Sequence, residues 1–200
     1  MCPILYGKWL PLRRKHSRCI TEGKKILHSY LNEQLNQALT NHLANKNDLP
    51  RLTILGIGNE LNGDDAAGVL IVKYLKKKLP IFGQFQLIEG SIAPENYSGV
   101  IRKFNPDWIW LIDAAVFGEN PGCVQLFDPL RIKTLATNTH RLSPDVLISF
   151  LQLDTHAEAF LIGIQPEIVG PFSEISPGVK LSIKETAKFL LRWLQNTYNI

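Results

Sequence analysis

From residue 51 onward, patterns typical of buried strands alternate with helical patterns. The segments "RLTILGI", "FQLIEG", "DWIWLIDA", "GCVQLFD" and "AEAFLIGI" predict five strands. The third is apolar on both faces, as a central parallel strand should be, whereas the fourth follows the turn "GENPG" and is expected to be antiparallel or at an edge. This alternation predicts an α/β fold: a three-layer sandwich around a mostly parallel five-stranded sheet.

The first fifty residues differ from the rest in charge and pattern. Residues 1–50 carry eight Lys/Arg against three Asp/Glu, a net charge of +5, whereas residues 51–200 carry a net charge of −1. We therefore divide the chain into a basic extension, 1–50, and a main domain, 51–200. Within the extension, residues 1–20 are expected to lack stable structure. Residues 21–46 predict an amphipathic helix, for which docking on its own domain is favoured over binding a partner.

Composition excludes several classes of protein. A nearly neutral main domain argues against nucleic-acid binding, which needs clustered Lys/Arg. The longest uncharged apolar stretches are strand-sized, so we expect no membrane span. Cys2, Cys19 and Cys123 form no CxxC pair and no disulfide framework, and the chain start does not resemble a signal peptide. These features favour the cytoplasm, with Cys123 as a small core residue.

The turn after the first strand, "GIGNELNGDD" at residues 56–65, carries two adjacent aspartates. Its glycine spacing does not match the GxGxxG dinucleotide fingerprint, and it lacks the GK[ST] ending of a phosphate-binding loop. Carboxylates here would also repel a pyrophosphate. Asp64 is expected to cap the following helix, which leaves Asp65 for another role. The alternative function, from a different class of protein, is a nucleotide- or flavin-binding module.

Two further residues are candidates for the same edge of the sheet. Asp113 ends the apolar run "WIWLID", and His140 lies in a loop expected to open on that edge. If the third strand is adjacent to the first, Asp65 and Asp113 lie roughly 5–10 Å apart. Two carboxylates and an imidazole suit a divalent first-row metal such as nickel, zinc or iron. The alternatives are a strand-end carboxylate satisfied within the protein and a surface histidine.

At these residues the sequence resembles the endopeptidases that mature the large subunit of nickel–iron hydrogenases. The similarity runs from about residue 52 to the closing helix, and it is carried by "GIGNELNGDDAAG", "GSIAPENY", "DWIWLIDA", "NTH" and "FLIGIQPEIVG". It is strongest with the branch that processes formate-hydrogenlyase-type enzymes (hydrogenase 3). Two positions depart from the family pattern: Ala66 replaces a common glycine, and Asn138-Thr139 replaces a threonine pair.

The resemblance implies a phosphorylase/hydrolase-like fold and an endopeptidase that removes the C-terminal peptide of the large-subunit precursor after nickel insertion. It implies that Asp65, Asp113 and His140 contact the metal and carry the catalysis. The nickel would come from the precursor, with no organic cofactor, and we expect a monomer. Glu95 and Gln165, in loops that follow strands, are candidates for substrate binding or for turn formation. Metal activation of water, an aspartate base and a non-catalytic nickel checkpoint all remain open.

Overall fold

The computed structural model describes residues 24–127 and 144–200. The helices are α1 (Lys24–Asn45), α2 (Ala67–Lys78), α3 (Ser98–Phe104), α4 (Pro144–Thr155) and α5 (Pro177–Tyr198). The strands are β1 (Leu52–Ile57), β2 (Phe85–Ser91), β3 (Trp108–Ala114), β4 (Val124–Phe127) and β5 (Glu158–Ile164). None of the helices in these two ranges is long and apolar enough to cross a membrane.

The five strands form one sheet in the order β2-β1-β3-β5-β4. β1 pairs in parallel with both β2 and β3, and β3 pairs in parallel with β5. β4 is the exception, since it pairs antiparallel with β5 at one edge of the sheet. The predicted mostly parallel sheet, with the fourth strand antiparallel and at an edge, is confirmed.

Two hydrophobic clusters fill the space on either side of the sheet. One joins alternate residues of β1 and β3 to apolar residues of α1, α2 and α5, with Trp108, Trp110 and Trp193 at its centre. The other joins the opposite faces of these strands to Ile101 of α3 and Leu147 of α4. Because the central strands β1 and β3 bury both faces, their sequences are almost continuously apolar rather than alternating. The three-layer sandwich is confirmed.

The N-terminal helix packs on the main domain. The predicted helix at 21–46 is observed as Lys24–Asn45, and its Leu31 and Leu35 side chains are fully buried. The Trp193 indole N–H donates to the Asn36 carboxamide oxygen at 2.9 Å, which ties α1 to α5. One face of α1 is therefore covered within the chain. The prediction for residues 1–20 lies outside the described residues, and the boundary at residue 50 stays a prediction.

Cys123 departs from the sequence prediction in one respect. Cys123 is fully buried, in agreement with a small residue of the core. It is also disulfide-bonded, which the absence of a CxxC pair and of a disulfide framework did not predict. Because disulfides are rare in a reducing cytoplasm, this bond weakens the support that cysteine usage gives to a cytoplasmic location.

Candidate active site

The switch point of the sheet, where the strand order reverses, lies beside β1. The chain passes from β1 to β2 on one side, and β3 lies on the other side of β1. Gly56 of β1 is paired with Ile112 of β3, so Asp113 follows the last paired residue of the β1–β3 ladder. Adjacent strands lie about 4.8 Å apart. In open α/β sheets ligands bind at such a switch point, outside the carboxyl ends of the strands.

The turn after β1 holds Asp65 against this crevice. The Asn59 backbone N–H donates to Asp65 Oδ2 at 2.9 Å, and Asp65 is buried. Gly58, with φ +136°, makes this approach possible, because a Cβ there would lie 1.7 Å from the Asp65 carbonyl oxygen. The turn thus fixes the orientation of the Asp65 carboxylate through main-chain contacts.

A second glycine sets the distance between the helix after this turn and the sheet. Gly68 lies in α2, and a Cβ on it would meet the Ile112 carbonyl oxygen at 2.0 Å and the Ile57 carbonyl oxygen at 2.5 Å. The helix backbone therefore rests directly on the ends of β1 and β3. Asp65 precedes this contact by three residues and Asp113 follows Ile112, so backbone packing links the two segments that carry the carboxylates.

Asp64 has a different role from the predicted helix cap. The helical segment begins with a short 3-10 helix, Gly63–Ala66, without a side-chain cap. The fully buried Asp64 carboxylate instead accepts hydrogen bonds from the backbone N–H groups of Glu167, Ile168 and Ser176, at 2.7–2.9 Å. The Ser176 hydroxyl also donates to it at 2.9 Å. Asp64 therefore ties the β5–α5 loop to the turn after β1.

Of the other two predicted site residues, Asp113 lies within the described residues and His140 does not. Asp113 lies in β3 at the carboxyl edge of the sheet and is half-buried. Within 24–127 and 144–200, no group of three His, Cys, Asp or Glu side chains is arranged to hold a metal ion. The structure thus brings Asp65 and Asp113 to one crevice, and the three-residue metal site stays a prediction.

Gln165 braces the loop between β3 and β4. Its side-chain oxygen accepts hydrogen bonds from the backbone N–H groups of Phe117, Gly118 and Glu119, at 2.8, 3.1 and 3.3 Å. Its backbone N–H donates to the Cys123 carbonyl at 2.8 Å. These contacts give Gln165 the turn-forming role that the sequence left open, and its contact with substrate stays a prediction.

Glu95 lies in the loop after β2. It belongs to a short 3-10 helix, Pro94–Tyr97, and is half-buried at the same edge of the sheet as Asp65 and Asp113. This position is compatible with lining a substrate cleft, and contact of Glu95 with substrate stays a prediction.

Sequence reasoning missed the residues that hold the site in place. Ser176 occupies the N-cap position of α5, and "SP" before a helix is a recognisable signal for a cap. Its hydroxyl, however, donates to Asp64, which is 112 residues away in the sequence. Gly68 stands inside an ordinary helical pattern, where a glycine without a turn role signals close packing.

Three comparisons with known proteins agree on the family. The family model described as "HycI: Hydrogenase maturation protease" matches residues 69–193. The hydrogenase 3 maturation protease of Escherichia coli K12 is 33% identical over 144 residues, which cover 72% of this chain and 90% of the relative. The hydrogenase 2 maturation protease of the same strain is 27% identical over 153 residues, which cover 74% and 92%.

Solved structures extend this agreement to the fold. The crystal structure of a [NiFe] hydrogenase maturation protease HycI from Thermococcus kodakarensis superimposes with a TM-score of 0.67 at 34% identity, covering 72% of this chain and 92% of that one. The chain therefore belongs to the hydrogenase maturation protease family and is a peptidase.

Proposed function

We propose that this chain is the endopeptidase that removes the C-terminal peptide from the large-subunit precursor of a nickel–iron hydrogenase once nickel has been inserted. The convergence of Asp65 and Asp113 at the switch point between β1 and β3 carries this proposal. Family membership supplies the peptidase class, and the crevice supplies a place for the scissile segment.

The two carboxylates suit a substrate that brings its own metal. Carboxylate oxygens and imidazole nitrogens are ligands for divalent first-row metals, and Asp65 is held at a fixed angle by the Asn59 N–H. His140, which the sequence places with them, completes the proposed ligand set. In this proposal the nickel is part of the substrate. Binding of the nickel by these ligands positions the precursor in the crevice.

Peptide hydrolysis at this site requires a water molecule to attack the scissile carbonyl. Either the substrate's metal polarises that carbonyl, or one of the two aspartates accepts the proton from the attacking water. In the second route either Asp65 or Asp113 is the base. Binding of the loaded precursor without cleavage, in Asp65→Asn or in Asp113→Asn, would be the signature of a base at that position.

The test is cleavage of a purified large-subunit precursor, nickel-loaded and nickel-free, followed by mass spectrometry. We expect loss of the C-terminal peptide only from the loaded form, with at least a hundredfold lower rate for Asp65→Asn and for Asp113→Asn. Glu33→Gln is a matched control, since Glu33 is an exposed carboxylate on α1 and lies outside the loops at this edge.

Three outcomes separate the remaining possibilities. Equal cleavage of loaded and nickel-free precursor would show that cleavage does not require nickel, and would overturn that part of the proposal. Binding of loaded precursor without cleavage by the wild type would identify a checkpoint protein instead of a protease. Binding of a nucleotide or flavin at micromolar concentration would favour the alternative class. Monomeric state and cytoplasmic location stay predictions of the sequence.

A further inference from the structure

Exposed large apolar side chains are unevenly distributed over the loops of the described chain. Seven of them lie in loops at the carboxyl edge of the sheet, whereas Ile81 is the one at the opposite edge within residues 24–127 and 144–200. The seven are Leu61, Ile92, Tyr97, Val116, Ile168, Val169 and Phe172. Isolated apolar residues on a surface need no explanation, but a concentration at one edge does.

Four of these residues lie on two loops that are joined by backbone hydrogen bonds, and we call them the carboxyl-edge patch: Leu61, Ile168, Val169 and Phe172. The Phe172 N–H donates to the Leu61 carbonyl oxygen at 2.6 Å, and the Asp64 N–H donates to the Ile168 carbonyl at 3.0 Å. The turn after β1 and the β5–α5 loop are thereby joined into one surface. Phe172 is 85% exposed and Leu61 is 61% exposed, so water covers most of both side chains.

The backbone conformation of Phe172 and the exposure of its ring are both energetically unfavourable. Its φ of +56° is in the left-handed region, which a phenylalanine adopts at a cost, and its ring gains no burial in return. Glycine or asparagine would suit this backbone better. A strained residue that is also exposed and aromatic is typical of a binding surface.

The patch is continuous with the candidate active site. Leu61 donates its N–H to the Asn59 side chain at 3.0 Å, and the Asn59 N–H holds Asp65. Asp64, next to Asp65 in the sequence, fixes the other half of the patch through its four hydrogen bonds to the β5–α5 loop. The patch therefore adjoins the turn that carries Asp65.

The charge around the patch defines the chemistry of its occupant. Within residues 24–127 and 144–200, four loops lie at the carboxyl edge, 58–66, 91–97, 113–123 and 165–176, and together they contain eight Asp/Glu and no Lys or Arg. Glu60 is paired with Lys73 of α2, and Glu119, Glu167 and Glu174 are exposed. A protein segment that carries Lys or Arg beside apolar side chains is complementary to this edge.

We infer that the carboxyl-edge patch is the docking surface for the segment of the precursor next to its scissile bond, and that this segment is basic and apolar. The inference rests on the proposed function, since it assigns a second contact to the same substrate. Asp64 holds the patch in its binding conformation before the precursor arrives, which reduces the entropy lost on docking.

The test compares Phe172→Asn with Ile81→Asn in the cleavage assay on loaded precursor. Both remove an exposed apolar side chain, and asparagine tolerates the backbone of Phe172, so both variants are expected to fold. Phe172→Asn should raise KM at least tenfold with kcat changed less than twofold, and Ile81→Asn should change neither. Glu167→Lys should also raise KM, by an amount that shrinks with added salt.

An unchanged KM in Phe172→Asn, with an active wild type, overturns the docking surface and leaves the proposed function intact. A wild type that cleaves no loaded precursor overturns the function first. Dimerisation of the wild type that Phe172→Asn abolishes, measured by light scattering, would show that a second copy of this chain covers the patch and would also overturn the inference.

Discussion

Asp64 and Ser176 are joined by two hydrogen bonds across 112 residues of sequence. The Ser176 N–H donates to one carboxylate oxygen at 2.7 Å, and the Ser176 hydroxyl donates to the other at 2.9 Å. The pair connects the start of the helical segment after β1 with the start of α5. Asp64 thus has a structural role and Asp65 a proposed catalytic role, although the two are chemically identical neighbours.

Asp64→Asn should therefore destabilise the fold. The amide places N–H donors where the carboxylate accepts bonds from backbone N–H groups, so buried donors would face each other. We expect a loss of about 3 kcal/mol or more in the free energy of unfolding, measured by urea denaturation. Asp65→Asn should lose activity and change stability by less than about 1 kcal/mol. Equal effects of both substitutions on stability would contradict this division of roles.

Gly68→Ala should disturb both the packing and the site. Its methyl group would overlap the carbonyl oxygens of Ile112 and Ile57, and main-chain atoms cannot move aside without shifting α2 against the sheet. We expect a cost of about 3 kcal/mol and lower cleavage activity at temperatures where the variant is folded. Gly99→Ala is the matched control, because Gly99 is helical and a Cβ there meets nothing within 4 Å. That control should be neutral, or more stable by up to about 1 kcal/mol.

Gln165 allows a test of loop bracing. Gln165→Met preserves the side-chain length but removes the acceptor for three N–H groups of the β3–β4 loop. We expect a loss of about 2 kcal/mol, together with faster hydrogen exchange at Phe117 and Gly118. Gln165→Glu retains the acceptor and should lose less stability. Slow exchange in both variants would indicate that other contacts hold the loop.

Asp107 should give the stability of the fold a pH dependence at the opposite edge of the sheet. Partial burial raises the pKa of Asp107, but hydrogen bonds from the Lys46 ammonium and the Arg51 N–H outweigh it and hold the pKa below its ordinary value of 3.8. Because the folded-state pKa is lowered, this stabilisation is present above pH 3.8 and is lost as the pH falls through the folded-state pKa.

Asp107→Asn checks this directly. At pH 7 the variant should be less stable by roughly 1 kcal/mol, since a charged acceptor for Lys46 and Arg51 is removed. The difference in melting temperature between wild type and variant should shrink toward zero as the pH is lowered below 3.8. A difference that persists unchanged into acid would assign the effect to packing instead of charge.

The strands and the fold class follow from local sequence, because buried parallel strands such as Trp108–Ala114 are continuous apolar runs. The same reasoning placed Asp65 and Asp113 at one edge, since the carboxyl ends of parallel strands meet there. It misassigned Asp64, whose partners Glu167 and Ser176 lie more than a hundred residues away. A capping role needs a neighbour in sequence, whereas a bond between loops is visible only in three dimensions.

The packing of α2 on the sheet through Gly68 has an evolutionary consequence. The helix after β1 rests on main-chain oxygens of Ile57 and Ile112, with no side chain between them. Apolar residues elsewhere in the two cores can therefore be exchanged over generations without altering the spacing of the two aspartates. In such a lineage the apolar residues of the core can change, while Gly58, Gly68 and the carboxyl ends of β1 and β3 are under selection.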